Sequence, residues 1–446
     1  MKSSLSAKET IAIGLMLFAL FFGAGNMIFP PELGQAAGEN VWKAMTGFLV
    51  TGVGLPLLGV VAVALTGTDA KGLADKAHPV FGTIFTVVLY LTIGPLFAIP
   101  RTGTVSYEIA AVPFVGGMPA WLTLLIFTFL FFAVTYYLAL NPTKLVDRIG
   151  KVLTPILLAV IAILVIKSIV TPMGDIQSPL EAYASGSLFK GFLEGYKTMD
   201  ALASIVFGIV VVNAVKDRGI TSRKSVASVC IKAGLVAAAG LGLVYVSLAY
   251  LGATSTESVG LLGAGSKILS ESSQHLFGSL GNIILGVAIL FACLTTSIGL
   301  VSSCGNYFSK LIPSLSYKAV VTIVTVFSFI ISNFGLSNII LFSVPILSAI
   351  YPLAIVIILL SFIEKSFKGR REVYILCLIA TGIFSIIDGL NAASIPLGSL
   401  NKVLGQSLPL YSLGFGWVIP AIIGGIAGYL ISLATGSNKK TANINQ

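Results

Sequence analysis

The sequence predicts an all-α polytopic membrane protein with about twelve transmembrane helices, on the basis of its composition, its apolar runs and two interrupted runs. Of its 446 residues, 56% are hydrophobic and only 10% are charged, and the mean hydropathy is +0.99. Soluble globular proteins carry roughly 25% charged residues, so the composition excludes that class. The net charge of +10 does not indicate a nucleic-acid partner, because the basic residues lie mostly in short segments between apolar runs.

Twelve segments are candidates for transmembrane helices, each of which needs about 20 apolar residues. They lie near residues 10–30, 41–66, 80–100, 119–140, 149–171, 193–213, 226–252, 279–304, 316–333, 338–362, 373–391 and 411–434. The first segment follows Lys2 and Lys8, as in a signal peptide, but it runs to Pro31 without a small-residue cleavage site. We therefore expect it to remain as the first span.

The distribution of basic residues predicts the orientation. An even number of spans places both termini on one side, and the segments on that side hold 20 of the 27 lysines and arginines. The opposite side holds Lys43, Arg101, Lys167, Lys190, Lys197, Lys267 and Lys402. Because basic residues concentrate in cytoplasmic loops, both termini are predicted to be cytoplasmic. The polar tail, residues 436–446, is predicted to be disordered.

An irregular stretch, Phe22-Gly23-Ala24-Gly25-Asn26, interrupts the first apolar run, and Pro30-Pro31 is predicted to end the half-helix that follows. An unpaired backbone group in hydrocarbon costs several kcal/mol, so such a break survives only where it is buried in protein or lines a cavity. The start of a half-helix presents amides to an anion, and the end of one presents carbonyls to a cation. This pattern is typical of a secondary transporter.

The sixth span carries a second irregular stretch, between Tyr196 and Gly208, and Ser204 within it lies 181 residues after Gly23. Breaks in spans one and six predict two five-span repeats, and an odd number of crossings makes the second repeat inverted. The predicted divisions are residues 1–171 for the first repeat, 172–363 for the second, and 364–446 for two accessory helices with the tail.

These breaks suit a zwitterionic amino acid. The amides of Ala24, Gly25 and Asn26 can receive a carboxylate, and the carbonyl end of the first half-helix near Phe22 can receive an ammonium group. The residues predicted to form the substrate site are Phe22, Gly23, Ala24, Gly25, Asn26, Asp200, Ser204, Ile205 and Phe207.

Asp200 is the strongest intramembrane acidic candidate, since a charge there is expensive and usually functional. It could hold a cation, contact the ammonium group or carry a proton; alternatively, it pairs with Lys197 one turn away. Glu194 is expected to be solvated and Asp388 to lie at the membrane interface. The consecutive hydroxyl residues Thr295, Thr296 and Ser297 could bind a cation or hydrogen-bond within the bundle.

Two segments, Phe22-Gly23-Ala24-Gly25-Asn26-Met27-Ile28-Phe29-Pro30-Pro31 and Gly195-Tyr196-Lys197-Thr198-Met199-Asp200-Ala201-Leu202-Ala203-Ser204, resemble the most characteristic stretches of the bacterial branched-chain amino acid:cation symporters, the BrnQ family. The resemblance covers the whole chain. It implies a leucine-transporter-like fold in the cytoplasmic membrane, with uptake of leucine, isoleucine and valine driven by Na⁺ or H⁺. No cofactor other than this coupling ion is implied.

The resemblance also implies a sodium site between spans one and eight. Its ligands would be the carbonyl groups of Ala19, Phe22 and Ala292 and the hydroxyl groups of Thr295 and Thr296. A proton-coupled member could use the same scaffold, so the coupling ion stays open at this point.

Three other functions compete with this interpretation. Another small apolar solute could use the same backbone site, because one methylene in a pocket is worth only about 1–3 kcal/mol. An ion channel is disfavoured, since the sequence has no filter-like carbonyl run and no ring of acids. An enzyme is disfavoured because the sequence has no HExxH motif, P-loop or paired intramembrane carboxylates.

Overall fold

The computed structural model describes residues 5–140 and 142–435, and for residues 142–154 only the backbone is considered. The first half of the chain forms α1 (Ala7–Phe21), α2 (Ala24–Ala37), α3 (Val41–Leu49), α4 (Leu55–Thr66), α5 (Ala70–Ala74), α6 (Pro79–Leu91), α7 (Ala98–Ala110), α8 (Ala120–Ala139), α9 (Pro142–Val170) and α10 (Glu181–Ala184). The second half forms α11 (Ser187–Glu194), α12 (Asp200–Lys216), α13 (Arg223–Val259), α14 (Gly265–Leu311), α15 (Tyr317–Ser332), α16 (Leu336–Ile363), α17 (Arg371–Ala392), α18 (Ser399–Ser407) and α19 (Val418–Ala434). The described residues contain no strand.

The all-α membrane architecture is confirmed. Within the described residues, seven helical segments are long and apolar enough to cross a membrane, and an eighth candidate is the bent pair Ser187–Thr198 and Asp200–Lys216, at 47°. Shorter apolar helices cover Pro155–Val170, Tyr317–Ser332 and Val418–Ala434. The first predicted span is divided between α1 and α2. Large apolar side chains such as Ile163, Ile166 and Leu243 are exposed on the outer faces of the bundle, where lipid would cover them.

The prediction that Pro30-Pro31 ends a half-helix is wrong, because both prolines lie inside α2. Tertiary packing overrides their helix-breaking tendency: α2 lies so close to α13 that a Cβ on Gly34 would overlap the carbonyl oxygen of Ala249. A Cβ on Gly252 would likewise overlap the carbonyl of Pro31. The close contact holds the chain in helical form beyond the prolines.

The third span is longer than predicted and is broken. It runs through α6, a π-helical segment Thr92–Leu96 and α7, and Gly94 within it has non-helical angles (φ −100°, ψ −124°). The prediction that Arg101 belongs to a loop is therefore wrong, since Arg101 lies in the first turn of α7 with only 3% of its surface exposed. A Gly-Pro pair, Gly94-Pro95, interrupts the apolar pattern without ending the span.

Some sequence-based predictions fall outside the described residues. They concern the termini with Lys2, Lys439, Lys440 and the tail 436–446, and the side chains of Lys144, Arg148 and Lys151.

Candidate functional site

The interruption predicted in the first span is confirmed. Helix α1 ends at Phe21, Phe22 and Gly23 are extended (φ −71°, ψ 95° and φ −129°, ψ −162°), and α2 begins at Ala24. A Cβ on Gly23 would lie 3.0 Å from the Thr296 side chain, so glycine lets α14 approach the break closely.

The Asn26 side chain shapes this break. Its Oδ1 accepts the N–H of Gly23 at 3.0 Å, which in a continuous helix would serve the carbonyl of Ala19. The Ala19 carbonyl is thereby left without its helical donor. The amides of Ala24, Gly25 and Asn26 form the first turn of α2 and have no helical acceptor. The break thus presents carbonyls on one side and amides on the other.

The second break lies at Met199, within the predicted irregular stretch from Tyr196 to Gly208. A 3₁₀ turn, Gly195–Thr198, precedes it, and Met199 has left-handed angles (φ 65°, ψ 8°), which are uncommon for a residue other than glycine. Helix α12 then starts at Asp200, whose N–H donates to Thr198 Oγ1 at 3.3 Å.

Asp200 joins the two breaks. Its Oδ2 accepts Asn26 Nδ2–H at 2.6 Å and the Tyr245 hydroxyl at 2.7 Å, and Asn26 and Tyr245 also contact each other. Only 2% of the Asp200 surface and none of the Tyr245 surface is exposed. Since charge-assisted bonds are the strong ones, the carboxylate fixes the carboxamide that in turn caps Gly23.

The alternative pairing of Asp200 with Lys197 is not formed. Lys197 Nζ lies 2.5 Å from Glu194 Oε2 and 3.9 Å from Glu32 Oε1. The expectation that Glu194 is solvated is wrong, because Glu194 is buried and also lies 3.5 Å from Lys190. Glu194 is the last residue of the short helix α11, most of which lies before the predicted span boundary at residue 193.

Arg101 brings a third broken segment to the site. Its Nη1 donates to the Lys197 carbonyl at 2.8 Å, and its guanidinium carbon lies 5.2 Å from the centre of the Phe29 ring. A Cβ on Gly25 would lie 3.1 Å from Arg101 Nη2, so the guanidinium directly faces the start of α2. Among the described residues, no carboxylate forms an ion pair with Arg101, and its buried Nε has no hydrogen-bond partner.

The three breaks enclose one cavity of about 40 Å³. Of the predicted substrate residues, it is lined by Gly23, Ala24, Gly25, Asn26, Asp200 and Phe207. Arg101, Thr198 and Met199 also line it, as do the apolar side chains of Leu20, Phe21, Ile93 and Leu300.

Three predicted residues have other surroundings. The carbonyl of Phe22 faces Thr296, whose hydroxyl lies 3.4 Å from it. Ser204 and Ile205 do not line the cavity, although Asp200, Ala203 and Phe207 of the same helix do. Ser204 instead donates to the Ala201 carbonyl at 2.7 Å and packs against Gly59 of α4.

The predicted ion ligands lie where α14 meets the first break. Thr295 and Thr296 donate to the Ala292 carbonyl at 2.8 and 3.0 Å, and Thr296 reaches across to the Phe22 carbonyl. Carbonyl and hydroxyl oxygens are hard ligands of the kind that suit hard cations. Among the described residues there is no cluster of three or more His, Cys, Asp or Glu side chains that could hold a metal ion.

The comparisons with known proteins identify the family. A family model described as branched-chain amino acid transport protein matches residues 6–435. The chain belongs to this family. It is 71% identical over 445 residues to the branched-chain amino acid permease BraB of Bacillus subtilis, covering 100% of both chains. It is 50% identical to the permease BrnQ of the same organism, covering 97% of this chain and 99% of the relative.

A solved structure with low sequence identity has the same fold. Mhp1, a nucleobase-cation-symport-1 family transporter in a closed conformation, superposes with a TM-score of 0.63 at 14% identity, covering 95% of this chain and 93% of Mhp1. The likeness confirms the leucine-transporter-like fold predicted for this branched-chain amino acid transport protein. The family's members are permeases, not enzymes.

Sequence reasoning missed three residues of this family member's site. Arg101 was placed in a loop because it follows the end of an apolar run. The pair Gly94-Pro95 could have indicated that the helix is broken there and continues beyond the break. Tyr245 lies in the uniform apolar stretch of α13, where no local pattern distinguishes it. Met199 could have been suspected only because it directly precedes an intramembrane aspartate.

Proposed function

We propose that this protein imports leucine, isoleucine and valine across the bacterial cytoplasmic membrane by cation-coupled symport. The observation that carries the proposal is a buried guanidinium that forms no ion pair with a carboxylate and faces the free amides of a half-helix, in a cavity with both polar and apolar walls. The relatives named as branched-chain amino acid permeases support the substrate class.

The substrate carboxylate would bind between Arg101 and the first turn of α2. A buried charge without a partner is costly, and the cavity supplies Arg101 with a neighbouring cluster of unpaired amides from Ala24, Gly25 and Asn26. A carboxylate satisfies both groups at once, since helix N-termini and guanidinium groups bind the same anions.

The rest of the cavity suits the remainder of a branched-chain amino acid. The carbonyl end of α1 and the charge of Asp200 lie on the side where an ammonium group would be stabilised. Leu20, Phe21, Ile93, Phe207 and Leu300 offer apolar contacts to an uncharged, branched side chain.

Alternating access follows from the size of the site. A cavity of about 40 Å³ has room for only a few water molecules, so the walls must separate to admit leucine. In our proposal, a coupling ion at Ala19, Phe22, Ala292, Thr295 and Thr296 stabilises the open arrangement. Ion and substrate then promote each other's binding to the same degree, because coupling free energy is reciprocal.

Sodium is the coupling ion that we propose, and the hydroxyl pair on α14 tests it. Replacing both Thr295 and Thr296 by alanine should raise the half-saturating Na⁺ concentration for leucine uptake by about tenfold or more, since two oxygen ligands are lost. Ser303 also donates to its own helix, to Gly299 at 2.8 Å, so Ser303→Ala is the matched control. An unchanged Na⁺ dependence in the double variant would show that the coupling ion binds at another site.

Labelled leucine uptake into proteoliposomes tests the whole proposal. With an inward Na⁺ gradient, leucine should accumulate, and isoleucine and valine should compete with it. Accumulation driven only by a proton gradient would show that the coupling ion is a proton and not Na⁺. Absence of leucine binding to the purified, folded protein would refute the substrate assignment.

We further propose that both termini are cytoplasmic, because basic residues concentrate on their side of the predicted spans. A green fluorescent protein fused to the C-terminus should fluoresce, and alkaline phosphatase fused at the same point should be inactive. A dark fluorescent protein and an active phosphatase would show instead that the C-terminus lies outside the cytoplasm.

A further inference from the structure

A second, larger cavity lies away from the central site. Its volume is about 450 Å³, and it is bounded by the C-terminal part of α11, by α16, by the end of α17 and by the segment from α18 to Gly414. Besides two serines, Ser348 and Ser412, its polar walls are formed by five larger side chains: Tyr196, Asp388, Asn391, Asn401 and Tyr411. A cavity of this size can hold a small organic solute.

Three of these polar side chains satisfy one another. Asn401 Nδ2–H donates to Asn391 Oδ1 at 2.7 Å, Tyr411 donates its hydroxyl to Asn401 Oδ1 at 2.6 Å, and Asn391 Nδ2–H donates to the Tyr411 hydroxyl at 3.0 Å. This ring of hydrogen bonds orders one wall of the cavity and gives most of its polar groups a partner.

The other two polar groups lack partners. Asp388 Oδ2 and the Tyr196 hydroxyl are both buried, and neither has a hydrogen-bond partner among the described residues. Tyr196 is only 4% exposed, and both residues line the same cavity. Buried polar groups are normally paired. An ionised carboxylate only accepts hydrogen bonds, so Asp388 indicates a ligand that donates them, and the Tyr196 hydroxyl oxygen can accept a second bond from the same ligand.

The charge of the cavity defines that ligand further. Asp388 is the one ionisable carboxylate in the lining, and no lysine or arginine lines the cavity. A positive ligand would therefore be stabilised there and a free anion would not. A divalent metal ion is disfavoured, because it requires six or more oxygen ligands at short range in a space much larger than a bare ion.

We infer that this cavity binds a primary ammonium group, which donates hydrogen bonds to Asp388 Oδ2 and to the Tyr196 hydroxyl oxygen. The ammonium has three N–H donors and one positive charge, which matches two unpaired acceptors and one carboxylate. The same chemistry is carried by soluble amines and by the headgroup of phosphatidylethanolamine.

The site is separate from the central one but adjoins it. The Tyr196 ring stacks on Tyr351 with centroids 4.2 Å apart, and the 3₁₀ turn that contains Tyr196 leads directly to Met199 in the central cavity. Binding tests must therefore keep the central site filled with leucine.

The experiment measures binding of radiolabelled n-butylamine to the purified full-length protein in phosphatidylcholine nanodiscs, with leucine at saturation. The wild type should bind it saturably, and Asp388→Asn should bind it about tenfold or more weakly, because a hydrogen bond to a charged group is lost. Tyr196→Phe should weaken binding to a smaller degree. Glu271→Gln, which changes an exposed acid on α14, should bind like the wild type.

Two further measurements complete the test. Tetramethylammonium has the same charge but no N–H group, so it should fail to displace butylamine. Adding phosphatidylethanolamine to the nanodiscs should compete if the natural ligand is the lipid headgroup, and should have no effect if it is a soluble amine; either result is compatible with the site. Equal butylamine affinity in the wild type and a folded Asp388→Asn protein, or no saturable binding to the wild type, overturns the inference.

Discussion

Replacing Arg101 by glutamine should lower the affinity for leucine by about 100-fold or more, the range expected when one partner of a buried, hydrogen-bonded charge pair is removed. The physical reason is that Arg101 is the cation beside the free amides of α2, at the point where Gly25 comes closest to α7. Equilibrium binding of labelled leucine to the purified variant measures the effect.

The role of Arg101 can be separated from a purely structural one by changing the ligand. Leucinamide lacks the carboxylate, so its weaker binding should change little in Arg101→Gln, and the preference for leucine over leucinamide should shrink. Arg101→Lys keeps the positive charge but loses the planar guanidinium with its paired N–H donors, so its affinity for leucine should lie between those of the wild type and Arg101→Gln. Arg223→Gln is the control, since Arg223 binds the backbone of Leu65 and Thr66 at an exposed position. An unchanged preference for leucine in Arg101→Gln would place the carboxylate elsewhere.

Replacing Asp200 by alanine should abolish leucine uptake and lower the free energy of unfolding by about 3 kcal/mol. Two charge-assisted hydrogen bonds are lost: the buried Tyr245 hydroxyl is left without its acceptor, and Asn26 Nδ2 keeps only its contact with Tyr245. Without its anchor, the Asn26 carboxamide no longer holds the Gly23 N–H, so the break in the first span loses its fixed geometry. Uptake into proteoliposomes and thermal unfolding in detergent measure the two effects.

A double-mutant cycle tests the connection between the two breaks. Asp200→Ala and Asn26→Ala together should cost clearly less than the sum of the single changes, because residues in one network couple by about 0.5–3 kcal/mol. Tyr245→Phe removes only the hydroxyl and should have a milder effect. Asp217→Ala, at the exposed end of the same helix, is the control. Wild-type uptake by Asp200→Asn would show that neither the charge of Asp200 nor a proton on it is needed.

The local features of the site were readable from the sequence because they depend on residue types that disfavour a regular helix. The first break was predicted from the stretch Gly23-Ala24-Gly25-Asn26. The second break was predicted to within a few residues from an aspartate inside an apolar run. The helical period also places Asp200 and Phe207 on one face. The divisions at residues 171 and 363 stay predictions.

The remainder depends on contacts between distant parts of the chain. Asn26 meets Asp200 across 174 residues, and no local pattern pairs them. Arg101 was assigned to a loop because a charge at the end of an apolar run usually lies in water; here the Lys197 carbonyl and the Phe29 ring surround it instead. Pro30-Pro31 was expected to end a helix that packing against α13 continues.

The glycine contacts between helices also determine which parts of the molecule can slide past one another. A side chain at Gly34, Gly252, Gly47 or Gly191 would overlap the backbone of the facing helix, so α2 interlocks with α13, and α3 interlocks with α11. Because the backbones touch at these positions, neither helix of a pair can shift by a helical turn unless the other moves with it. The start of α14 is held against α2 in the same way, because a Cβ on Gly265 would overlap the carbonyl oxygen of Ile28. Stabilising the protein by exchanging helix glycines for alanine, a routine route for soluble proteins, would force these pairs apart.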